Sequence, residues 1–70
     1  MPHIAVTMYP GRDEAVKAAL AEKLRDAAAE QLGIGKQAFS VSISDVPREE
    51  FEKHMESFPD ETMFVRRNNG

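Results

Sequence analysis

Two stretches of the chain alternate between apolar and polar positions, and the stretch between them repeats every three to four residues. In residues 3–9, Ile4, Val6 and Met8 point one way, with His3, Ala5, Thr7 and Tyr9 opposite. A period of two predicts a strand with one apolar face. Pro10-Gly11 then breaks the pattern as a turn. Asp13 can cap a helix, and Glu14 puts an anion in the first turn, where the helix dipole favours it. From there Val16, Leu20, Leu24, Ala27 and Gln31 recur on one side, flanked by Ala19, Ala28 and Leu32. This predicts an amphipathic helix rich in strong helix formers, with Gly33 as its stop. Residues 38–46 alternate again, Phe39, Val41 and Ile43 forming an apolar row and Ser40, Ser42 and Ser44 a polar one.

Strand, long helix, strand predicts a βαβ unit of the α/β class, with parallel strands and a right-handed crossover. The helix covers one sheet face, so the apolar rows of both strands should meet it there. Pro47 suits the first turn of a short second helix running through Arg48, Glu49, Glu50, Phe51 and Glu52, and Pro59 ends that region. Residues 62–67 are expected as a brief third strand and Asn68-Asn69-Gly70 as a loose tail. Nothing in residues 1–70 reads as a linker, a repeat or a low-complexity segment, so they form a single domain.

Size changes that picture. A chain of 70 residues buries only about 60% of its unfolded surface, and such small folds usually add disulfides, a metal or partner subunits. Cysteine is absent, and the two histidines, His3 and His54, lack metal-ligand spacing. Self-association through the sheet is the route left, as a homodimer or a hexamer. The serine row fits a solvated face better than one buried between subunits, which favours two βαβ units joined edge to edge. A net charge of −3 and a pI near 5.3 argue against nucleic acid. No apolar run reaches the roughly 20 residues of a membrane span, and no signal-peptide plan opens the chain. A cytoplasmic location is the expectation.

The chemistry that stands out is at Pro2. Many chains begin Met-Pro, and proline is tolerated where a strand starts. Methionine ahead of proline is also readily trimmed, which leaves a free secondary amine fixed to the sheet. An α-amino group titrates near pH 8, against about 10.4 for lysine, so modest burial or a nearby cation brings it to neutrality. A base works best when its pKa lies near the operating pH. A chain that kept Met1 would carry an amide there, with no basicity, and would act as a binding or assembly module instead.

Pro2-His3-Ile4, the turn Gly11-Arg12, a helix of this length and a second strand ending near Val46 together resemble the 4-oxalocrotonate tautomerase family, over residues 2–51. The resemblance implies short βαβ chains assembled as dimers or hexamers, and enol-to-keto isomerisation of a small 2-hydroxy-dienoate or enolpyruvate-type acid without metal or organic cofactor. It makes Pro2 the catalytic proline, Arg12 the arginine that binds a substrate carboxylate and Phe51 the apolar wall. The family's second active-site arginine falls at Ser40, a neutral hydroxyl, so a dicarboxylate is expected to be a poorer substrate. Arg66 or Arg67 is a candidate replacement, from a neighbouring subunit. His3 is expected to face solvent. Glu49, Glu50 and Glu52 read as a solvated helix face, although related hydratases and dehalogenases add a glutamate to the same proline.

Overall fold

The computed structural model describes residues 1–67. It contains strand β1 (His3–Met8), helix α1 (Glu14–Leu32), strand β2 (Ser40–Asp45) and helix α2 (Arg48–Met55). One-turn 3-10 helices lie at Lys36–Ala38 and Asp60–Thr62. β1 and β2 pair in parallel, with His3 opposite Ser40, Ala5 opposite Ser42 and Thr7 opposite Ser44. The pairing runs just past both assigned ends: Ser40 N–H donates to the Pro2 carbonyl at 3.2 Å and Val46 N–H to that of Met8 at 2.8 Å.

The ends of α1 are fixed by chemistry visible in the sequence. Asp13 Oδ1 accepts from Val16 N–H at 2.9 Å, satisfying a donor that the first turn would leave unpaired. Gly33 takes the left-handed conformation at φ 68°, and its N–H reaches the Ala29 carbonyl. Only glycine adopts that geometry without steric cost.

The buried face of α1 differs from the expected one. Leu20, Leu24 and Ala28 turn inward as expected, joined by Lys17, Ala21 and Ala29. Val16, Ala27, Gln31 and Leu32 are exposed. Alanine recurs on most sides of this helix, so apolar periodicity specifies its rotation weakly, and the side rich in small residues packs closest. Ala29 is the one buried apolar residue among those described. Lys17 lies along the seam, its ammonium bonded to Asp45 Oδ2 at 3.1 Å. That hydrogen bond is the main cause holding the Lys17 ammonium above its ordinary titration range.

Two further expectations need correction. The second strand is shorter than residues 38–46, because a 3-10 turn occupies Lys36–Ala38 before it. Residues 62–67 form no strand; a 3-10 turn closes at Thr62, and the sheet of the described chain has two strands only. A strand needs a neighbour's free edge, and within one subunit this segment reaches none. It folds back instead, Met63 lining a cleft with Ala5, Thr7, Met55 and Phe58. The short helix starts after Pro47 and runs on to Met55, past Glu52. The tail expected at residues 68–70 lies outside the described residues.

The subunit is thin. Its radius of gyration is 13.6 Å, against about 11 Å for a compact chain of this length. Phe64 and Val65 are 93% and 87% exposed. Replacing Gly33 with alanine is expected to lower unfolding free energy by about 1 kcal/mol, measured in urea. A Cβ there meets nothing within 4 Å, so the loss comes from the backbone conformation alone.

Candidate active site

The residues singled out in the sequence fall into two groups at opposite ends of β1. At the start of the strand, Pro2 is half-buried while Met1 stands fully in solvent. Its carbonyl is tied to Ser40 N–H, which fixes the pyrrolidine ring at the mouth of the sheet. His3 and Ser40 are paired positions, and both project on the face away from α1. The His3 ring bridges two serines of β2, with Nδ1 at 2.6 Å from Ser40 Oγ and Nε2 at 3.0 Å from Ser42 Oγ.

At the far end, Arg12 and Phe51 come together. They line an open cleft of about 300 Å³ with Thr7, Met8, Tyr9 and Arg67. The Phe51 ring meets Tyr9 edge-on, with centroids 4.8 Å apart. The Arg48 guanidinium sits over the other part of this aromatic pair, 4.4 Å from the Tyr9 ring centre. Among the described residues, no carboxylate lies within ion-pair distance of Arg12. Arg67 is engaged: its Nη2 donates to Glu52 Oε1 at 2.6 Å, which raises the guanidinium's already high pKa further. An adjoining cleft of about 410 Å³ shares Thr7, Phe51 and Arg67 and adds Met55, Met63 and Arg66. The result is an apolar floor edged by guanidinium groups, suited to a carboxylate on an apolar body.

The two groups do not meet within one chain. β1 has six residues, and five steps of roughly 3.3 Å put its ends about 17 Å apart. Pro2 with Ser40 therefore forms one group, and Arg12 with Phe51 another. Among the described residues no cluster of three histidine, aspartate or glutamate side chains could hold a metal, and no helix is long and apolar enough to cross a membrane.

The family described as "Tautomerase enzyme" matches residues 2–61. The chain belongs to the tautomerase family. A protein of Xylella fastidiosa (strain 9a5c) named "Probable tautomerase" is 37% identical over 51 residues, which cover 73% of this chain and 62% of that protein. The chain thus aligns with less than two thirds of that protein's length. Membership accords with the parallel βαβ unit and short second helix described above.

Sequence reading underweighted His3, which is exposed as expected yet holds two hydroxyls. Strand parity could have placed it on the serine face; the register that sets it opposite Ser40 could not be read from one sequence. Tyr9 and Arg48 were missed as partners of Phe51, because their meeting depends on how α2 returns over the end of β1. Glu52, one of the glutamates weighed for water activation, is committed to Arg67. A double-mutant cycle on Tyr9→Ala and Phe51→Ala, read by urea unfolding, should give a coupling of about 1 kcal/mol from their edge-on packing.

Proposed function

We propose that the protein is a cofactor-independent tautomerase that converts the enol form of a small 2-oxo acid to its keto form, with Pro2 as the proton-transferring base. The observation that carries this reading is the fixing of Pro2 at the sheet's mouth, beside Ser40 and one residue from an exposed Met1, in a chain of the tautomerase family. Removal of Met1 gives Pro2 a secondary amine, whose lone pair takes a proton from the enol hydroxyl or a carbon and returns it to another carbon. Arg12 holds the substrate carboxylate, and Phe51 supplies the apolar wall that excludes water and disfavours a charged amine nearby.

The split of the site supports a second element of the proposal. Pro2 and Arg12 lie beyond opposite ends of β1, which is about 17 Å long, too far to hold one small acid between them. Two copies whose β1 strands run antiparallel across a two-fold axis would bring Pro2 of each to the Arg12 end of the other. An isologous pair of this kind completes two identical sites. It also joins two sheets edge to edge, in keeping with the thin subunit and its exposed Phe64 and Val65. A dimer satisfies this geometry, and so does a ring built from such dimers.

A neutral Ser40 in place of a cation favours a substrate with one carboxylate over a dicarboxylate. Phenylenolpyruvate is therefore the preferred probe, with 2-hydroxymuconate as the comparison. Pro2→Ala should lower kcat/KM for phenylenolpyruvate by roughly a hundredfold or more, the scale of a lost acid–base group. A chain carrying an uncleavable residue ahead of Pro2, checked by intact mass, should be inactive. Near-normal turnover in both variants would remove Pro2 from the mechanism.

Mixing subunits tests the shared site. Pro2→Ala and Arg12→Ala chains, each impaired alone, should regain about a quarter of wild-type activity when unfolded together and refolded as equal mixtures. Half of the pairs are then hybrids, and each hybrid has one intact site. Activity that stays at the level of the separate variants would mean that both residues serve from the same chain.

A further inference from the structure

We propose that His3 is a positioning residue that holds the Ser40 hydroxyl as a hydrogen-bond acceptor for the enol hydroxyl of the substrate. The inference rests on the reading of Pro2 as the base that serves the substrate carbon.

Three observations carry it. His3 and Ser40 are register partners on the face of the sheet that α1 leaves open, and both are exposed. Ser40 is also bonded through its N–H to the Pro2 carbonyl at 3.2 Å, so the two residues are held together through the backbone at the start of the sheet. The imidazole is clamped at both nitrogens, at 2.6 Å from Ser40 Oγ and 3.0 Å from Ser42 Oγ.

The two lengths accord with one direction of the clamp. A neutral imidazole has one donor and one acceptor nitrogen. Hydroxyl donors make shorter bonds than N–H donors, whose common separation is about 2.9–3.0 Å. Either tautomer fits the two contacts; the one we assign, in keeping with the shorter separation at Nδ1, has the Ser40 hydroxyl donating to Nδ1 and Nε2–H donating to Ser42 Oγ. Ser40 spends its only hydrogen on His3 and keeps its lone pairs for an incoming donor. Aligned bonds polarise one another, so the chain of Ser40, His3 and Ser42 makes the Ser40 oxygen a better acceptor than a free hydroxyl.

An enol offers such a donor, and its keto product does not. Pro2 here exchanges protons with carbon alone: as its charged form delivers a proton to carbon and becomes neutral, the enol O–H becomes strongly acidic and its hydrogen bond to Ser40 tightens. The enol proton passes to Ser40 Oγ while the Ser40 hydrogen passes to His3 Nδ1, and solvent carries one proton from the imidazolium back to Pro2. The contact is thus stronger in the transition state than in the bound substrate, which is the condition for acceleration. It should appear in kcat more than in KM.

The experiment has one arm with substrate and one without. Ser40→Ala and His3→Ala should each lower kcat for phenylenolpyruvate about tenfold with little change in KM, on the scale of one hydrogen bond in the transition state. Because the two act as a unit, the double variant should lose about tenfold as well, not a hundredfold. His3→Asn, whose Oδ1 can accept from Ser40, should recover most of the rate. Without substrate, nitrogen NMR of the imidazole should find Nδ1 unprotonated, with a resonance that moves in Ser40→Ala and stays put in Ser44→Ala. Multiplicative losses in the double variant, an unchanged kcat in His3→Ala, or a proton resident on Nδ1 would each overturn the assignment. Full turnover in Pro2→Ala would sink the reading of Pro2 while leaving the NMR result standing, so the two failures are distinguishable.

Discussion

The parallel ladder between β1 and β2 is the constraint from which the other features descend. It fixes which side chains share a face, so that His3, Ser40 and Ser42 meet on one side while Ile4, Val6, Val41 and Ile43 meet α1 on the other. It also demands a long crossover, because parallel neighbours cannot be joined by a tight turn. α1, capped by Asp13 and closed by Gly33, is that crossover. Residues that lie far apart in sequence come within hydrogen-bond distance through this pairing alone.

The same ladder gives β1 two chemically different ends. Its start carries the proline and the hydroxyl–imidazole cluster, and its finish leads through Gly11 into Arg12. A turn at Gly11, whose φ is 128°, sends the chain back toward α1 and leaves Arg12 beside the Tyr9–Phe51 pair. Glycine is required there because that backbone angle is strained for residues with a Cβ. The charges around this cleft are unevenly committed: Arg67 is held by Glu52 and Arg66 by Asp60, while Arg12 lines the cleft.

Much of this was legible in the chain itself. Strand alternation, the Asp13 cap and the Gly33 stop are local signals, decided by neighbours three or four residues away, and the structure follows them closely. The family resemblance of Pro2-His3-Ile4 and Gly11-Arg12 is local in the same sense. What sequence pattern misjudged was decided by tertiary geometry. The rotation of α1 was one such feature, since alanine on several sides makes every face nearly equivalent in periodicity, and packing distance then chooses Ala29 over Ala27. The segment at residues 62–67 was another. Its apolar and β-branched residues suit a strand, but strand formation requires an edge within reach, and this segment folds back over Thr7, Phe51 and Met55 without pairing to β1 or β2. The pairing of Tyr9 with Phe51 and the bridging by His3 depend on register and on the path of α2, neither of which leaves a periodic trace.

On the proposed reading, acid–base chemistry and anion anchoring sit on separate elements, which bears on how such a protein diversifies. Substitutions along α2 or in the segment after Pro59 can reshape what the cleft admits without disturbing the ladder around Pro2. Changes on the serine row can alter the handling of the reacting oxygen while the anchor stays intact. With a site shared between two copies as proposed, the two properties are free to drift separately, and duplicated copies could each specialise in one of them and still work as a mixed pair.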